Sequence, residues 1–118
     1  MSKHIKRMGA QGDLMMIRVA EIPSDAREEP CGRSVVVAHS ETGRHHVLEL
    51  RDGFEARLFR AADPFTAFLR LEGDGDSAAD VMHHRSFDTH GTITVGPGIW
   101  MMRNQVEYTP AGWRKATD

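Results

Sequence analysis

The run Ser34-Val35-Val36-Val37-Ala38-His39-Ser40-Glu41-Thr42-Gly43-Arg44-His45-His46-Val47-Leu48-Glu49-Leu50 decides the fold. Its two flanks are short, apolar and rich in β-branched residues, a composition that suits a pleated, half-buried surface. Between them, Thr42-Gly43 supplies a point where the chain can take positive φ, so the segment predicts a hairpin of strands 34–39 and 45–50 closed by residues 40–44. Similar runs follow on either side: 13–19, 55–60, 66–72, 79–85, 92–95 and 99–108, set apart by clusters of Gly, Pro, Asp and Ser. That spacing predicts an all-β domain. Strands of this number in one flat sheet would leave long open edges, so a small sandwich or partly closed barrel of about seven to eight strands is expected. The best helical candidate, 61–71, contains Pro64, and its Thr66–Leu71 half alternates as a strand does.

At 118 residues the chain fits a single domain that buries about two thirds of its unfolded surface. Residues 1–11 are expected as a short flexible N-terminus, and 110–118 as a tail. The segment 22–32, with Pro23, Pro30 and several charges, reads as a loop. No apolar run approaches the roughly 20 residues of a membrane helix. Lys3, Lys6 and Arg7 lead into Gly9, Gln11, Gly12 and Asp13 rather than into an apolar stretch, so no secretory signal is read. The single cysteine, Cys31, cannot close an internal disulfide, and a cytoplasmic setting is expected. Fifteen basic residues against 17 acidic give a formal charge of -2. This balance argues against a general nucleic-acid binder, although Arg103, Tyr108, Trp113, Arg114 and Lys115 form a small basic and aromatic cluster.

Six of the seven histidines fall in three short clusters: His39 with His45 and His46, His83 with His84, and His90. Imidazole is proton-accepting and metal-ligating near neutral pH, so this clustering is the feature richest in chemistry. Strand alternation puts His46 on one face with Leu48 and Leu50, His39 with Val35 and Val37, and His84 with Met82; these three are expected to point inward. His45 and His83 are expected at a rim or outside. The hairpin would bring His39 opposite His45 or His46, and His84 and His90 would complete a divalent-metal site for zinc, nickel or iron. Asp88 could ligate or orient a histidine from behind. Against this stands the ordinary role of histidines at strand ends, solvated or bonded to a backbone carbonyl, since no His-Glu-x-x-His spacing occurs.

Other patterns resolve into structure. Gly73-Asp74-Gly75-Asp76-Ser77 lacks the ligand set of a calcium loop and is expected as an exposed turn. Gly96-Pro97-Gly98 joins two β-like runs and precedes no helix, so it reads as a tight turn and not a phosphate cradle. No glycine-flanked serine elbow is present. The methionines at 15, 16, 82, 101 and 102 are expected to fill an uneven core. Both faces of 99–108 begin apolar and end polar, which predicts a strand covered on two sides whose far half emerges at an edge or a subunit contact.

Gly43-Arg44-His45-His46 with Glu49, followed by Gly91 to Pro97-Gly98, resembles the two cupin motifs, in which histidines and a glutamate hold a metal inside a jelly roll. That resemblance implies a metal-dependent enzyme with His45, His46 and Glu49 as ligands. Trp100, Met101 and Met102 stand near the place of its later histidine, so His84 or His90 would supply the remaining ligand. The wider pattern of Gln11-Gly12-Asp13, Thr42-Gly43-Arg44-His45-His46-Val47, His83 to His90 and Gln105-Val106-Glu107-Tyr108-Thr109-Pro110 resembles a group of small uncharacterised bacterial and phage-associated β-rich proteins. The group implies no activity. The expected function is therefore non-enzymatic binding or assembly, as a homo-oligomer or in a larger protein assembly, with a divalent metal at the histidines. The alternatives are a cupin-like metalloenzyme and a minor structural protein of a phage-like particle.

Overall fold

The computed structural model describes residues 3–11, 14–38, 46–63, 65–83, 91–104, 106–109 and 112–115, and none of these is helical. The chain begins with β1 (Lys3–Ile5), β2 (Met8–Gln11), β3 (Leu14–Val19), β4 (Arg27–Glu29) and β5 (Ser34–Ala38). It continues through β6 (His46–Leu50), β7 (Glu55–Arg60), β8 (Thr66–Glu72) and β9 (Ala79–His83). The last strands are β10 (Ile93–Val95), β11 (Gly98–Asn104), β12 (Val106–Thr109) and β13 (Gly112–Lys115). A five-stranded sheet has the order β1-β10-β9-β6-β5 and a six-stranded sheet the order β2-β3-β11-β8-β7-β4; β12 and β13 pair as a separate hairpin. Among the described residues only β1 and β10 pair in parallel. The two large sheets form a sandwich and not a closed barrel.

Alternation explains how the sandwich fills. Val35, Val37, Leu48, Val81, Ile93 and Val95 from the five-stranded sheet meet Leu14, Met16, Leu58, Leu69, Leu71, Trp100 and Met102 from the other in one apolar cluster. Trp100 is fully buried, and its indole N–H donates to the Gly96 carbonyl at 3.0 Å, which satisfies the one polar atom of the largest side chain in the core.

The strands expected at 55–60 and 66–72 appear with those bounds, and the weaker helical reading of 61–71 gives way to β8. The predicted hairpin strands pair antiparallel as β5 and β6, with a register shift between Val36 and Ala38. Four strands were not expected. The segment read as a flexible N-terminus contains β1 and β2, the loop at 22–32 contains β4, and the tail contains β13. Each is three or four residues long with little apolar alternation, and β1, β2 and β4 lie at sheet edges where neighbours supply the stability that local sequence does not. The phase of β9 also differs from expectation: Val81 is fully buried and Met82 is half-buried on the opposite face. Asp80, alternating with Ala79 and Val81, carried that phase.

Candidate functional site

The strand ends that border the histidine-bearing segments lie side by side. β6 begins where 39–45 ends, β9 ends where 84–90 begins, and the two strands are hydrogen-bonded neighbours with His46 opposite His83. Both segments therefore join the five-stranded sheet at the same end. The predicted ligands His39, His45, His84 and His90, together with Asp88, lie outside the described residues. His46 is described, and it is fully buried on the Leu48 face as alternation predicted.

A buried imidazole needs partners, and Gln11 of β2 supplies one from the opposite sheet. His46 Nδ1 and Gln11 Oε1 are 2.9 Å apart. Gln11 Nε2 donates to the Val81 carbonyl at 2.9 Å and to the Gly91 carbonyl at 2.6 Å. Carbonyl oxygens only accept, so both amide protons are committed and the orientation of the amide is fixed. Oε1 must then accept, and the proton lies on His46 Nδ1. In the neutral ring Nε2 is consequently the atom with the lone pair. This is the arrangement by which a carbonyl oxygen behind a histidine sets its tautomer in metal sites, and it serves equally to satisfy a core histidine. His46 makes a further interaction besides this one. Nearby in the same inward row of the six-stranded sheet, Gln11, Leu14 and Asn104 are register partners. Asn104 Oδ1 is buried and has no hydrogen-bond partner among the described residues, so this end of the core is polar.

The cupin-like ligand set is not assembled by β6. His46 faces the core, whereas Glu49 faces outward and accepts from Ser34 Oγ at 2.9 Å. An odd separation along one strand puts two side chains on opposite faces. On that outer face His4, Thr94, Asp80, Glu49 and Ser34 follow one another in register across the sheet. Asp80 is its anchor: Arg51 donates two bonds of 2.9 Å and Thr94 one of 2.7 Å. Chiefly through the Arg51 bonds, the Asp80 carboxyl is held below its ordinary pKa, with burial opposing and Thr94 assisting. Among the described residues, no three His, Cys, Asp or Glu side chains come together as metal ligands.

A second surface carries more area than chemistry. Met8, Ile17, Met101, Phe68 and Phe59 are successive register partners across the outside of the six-stranded sheet. Met15, Val19 and Ile99 flank that row. Phe68 is 5% exposed yet lies outside the inter-sheet core, being covered by neighbours on its own face, while Met8 is 59% exposed. Arg57, Arg70 and Arg103 border the patch, with Glu28 binding Arg57 through bonds of 2.9 and 2.6 Å. The two-sided apolar character of 99–108 signalled this face, but its extent became visible only through register. Gln11 was missed as a functional residue because its partners lie 35, 70 and 80 positions away.

Residues 10–105 match the family described as Domain of unknown function (DUF8820). The chain belongs to that family. The match runs from the end of β2 to the start of the terminal hairpin, leaving out β1, and so includes Gln11, His46 and most of the outer apolar face. No curated protein and no solved structure matches this DUF8820 chain. Among its described residues no helix is long and apolar enough to cross a membrane.

Proposed function

We propose that this DUF8820 domain works by association and not by catalysis, using the outer face of its six-stranded sheet as the contact surface and a second copy of the chain as the partner. The observation that carries the reading is the Met8-Ile17-Met101-Phe68-Phe59 row. A contiguous apolar patch on a sheet face, rimmed by charged residues, is the usual form of a protein contact. The rim favours self-association because it carries both signs: Glu28 neutralises Arg57 while also feeling Arg70, and Arg57 feels Glu72. A two-fold pairing then sets no uniform charge against its own image. A larger bacterial or phage-like assembly would use the same face. Sedimentation velocity over a concentration series tests the proposal: dimerisation in the wild type and its loss in Met101→Lys support it, and a wild-type monomer at high micromolar concentration removes it.

The histidine end supports a second reading, a bound divalent ion that ties the two loop segments together. Gln11 fixes the proton of His46 on Nδ1, as carbonyl oxygens behind metal-bound histidines do, and His46 and His83 are paired at the strand ends that border 39–45 and 84–90. Untagged protein is expected to gain thermal stability on addition of zinc or nickel, and His46→Ala and His84→Ala are each expected to abolish the gain. Absence of any metal-dependent shift in the wild type eliminates this reading and leaves the first intact.

A further inference from the structure

At the opposite end of the sandwich, where β1 meets the β10–β11 turn, a cleft of about 610 Å³ opens among His4, Lys6, Arg18, Asp76, Ser77 and Pro97. The overall charge is negative, but Lys6 and Arg18 line this cleft and Arg7 lies beside Arg18. Arg18 is held rigidly. Its Nε donates to the Lys6 carbonyl at 2.8 Å and its Nη1 to the Pro97 carbonyl at 2.6 Å, and the guanidinium stacks 4.6 Å from the centre of the Trp100 ring. Nη2 makes no hydrogen bond among the described residues. His4 Nε2 donates to the Asp76 carbonyl at 3.0 Å, tying the cleft wall to the 73–77 turn. The backbone is shaped to match: a Cβ at Gly96 would stand 2.6 Å from the Asp76 carbonyl oxygen, and one at Gly98 would overlap Arg18 Nη1.

The donors in this cleft outnumber its acceptors. The side chains of Lys6 and Ser77 form no hydrogen bond or ion pair among the described residues, and the nearby carbonyls of Lys6, Asp76 and Pro97 are already engaged. A fixed guanidinium beside an uncommitted ammonium and hydroxyl suits an anion with several acceptor oxygens. The Asp76 side chain adds one acceptor, which fits a ligand hydroxyl. The volume is that of a small-molecule site. We propose that this cleft binds the phosphate group of a small phosphomonoester carrying a free hydroxyl.

Titration of isotope-labelled protein with glycerol 3-phosphate, followed by amide NMR shifts and with glycerol as control, tests this. The expected result is a saturable response confined to residues 4–7, 18, 76–78 and 96–99, with none from glycerol. Lys6→Ala should weaken binding about tenfold and Ser77→Ala about threefold, the effects of losing a charged and a neutral hydrogen bond. Arg27→Ala, on β4 at the far edge of the six-stranded sheet, should leave the affinity unchanged. All three residues are at least partly exposed, and a retained amide spectrum verifies the fold of each variant. Vesicles containing phosphatidate separate a lipid source from a soluble one; binding to vesicles without any response to glycerol 3-phosphate overturns the small-molecule assignment. So does the lack of saturation by about 20 mM ligand, or an affinity unaffected by Lys6→Ala.

Discussion

His46 Nδ1 lies 2.9 Å from Gln11 Oε1, and this bond crosses the core from the five-stranded to the six-stranded sheet. Most of the inter-sheet contact is apolar and non-directional, so it fixes spacing more than register. A hydrogen-bonded pair with one permitted orientation does fix register. Gln11 extends that control, because its amide protons also reach Val81 on β9 and Gly91 before β10. One side chain from β2 thereby positions three successive neighbours of the opposite sheet at the end that carries the histidines.

Gln11→Leu removes the partner of two carbonyls and of His46 Nδ1, all at a buried site, and should cost about 2–4 kcal/mol by urea denaturation. His46→Leu in that background should cost less than in the wild type, because the ring has already lost the Gln11 bond. A double-mutant cycle with coupling of about 1 kcal/mol or more is expected, and additive losses would contradict the linkage.

Asp80 makes stability depend on acidity. Its folded pKa lies below the unfolded value, with Arg51 hydrogen bonding as the main cause. The resulting stabilisation is complete above the unfolded value near about 4 and is lost as pH falls through the folded one. The side chains are 25% and 47% exposed, so solvent screening keeps the contribution of the pair to about 1 kcal/mol. Asp80→Asn should therefore be less stable than wild type at neutral pH, and the difference should close below about pH 4. Parallel unfolding curves, with a constant gap across that range, would count against this assignment.

Alternation and turn chemistry made the central strands legible. Glu55–Arg60, Thr66–Glu72 and the β5–β6 pair follow from apolar periodicity and Thr42-Gly43, and the inward face of His46 follows from Leu48. The edge strand β4 was not legible, because Arg27-Glu28-Glu29 has no apolar residue and is held by ion pairs from Glu28 to Arg57 and from Glu29 to Arg60. Charged edge strands of this kind resist pairing with other chains, and their sequences look like loops for that reason. The site was legible only as a list of histidines. Which nitrogen of His46 carries the proton depends on Gln11, and the sequence offers no local signal for that bond.

Gly98 has φ of 138° and abuts Arg18 Nη1, so its replacement by alanine combines backbone strain with displacement of the guanidinium from the Trp100 ring. Gly98→Ala should lower stability by about 1–3 kcal/mol and alter the fluorescence of the indole. Gly32→Ala provides the contrast: nothing lies within 4 Å of a Cβ built there, and its φ is outside the left-handed region. Its stability should stay within about 0.5 kcal/mol of wild type. Equal effects at the two glycines would show that Arg18 does not depend on the bare backbone at 98.

Met101 separates association from folding more cleanly than any other residue of the outer apolar row. It sits between Ile17 and Phe68 in register, is half-buried, and points away from the core that Trp100 and Met102 occupy. A lysine at this position can lay its methylenes along the same surface and carry the ammonium into water, so the cost to the monomer should be no more than about 1 kcal/mol. In a face-to-face dimer the two-fold operation would instead bury that charge among apolar side chains without a counter-ion, a penalty of several kcal/mol. Met101→Lys should consequently keep the wild-type melting temperature at low concentration while losing the concentration-dependent mass seen by sedimentation. Met101→Leu, which retains the apolar surface, should associate as the wild type does. If the lysine variant sediments like wild type across the series, the contact surface lies elsewhere on the molecule.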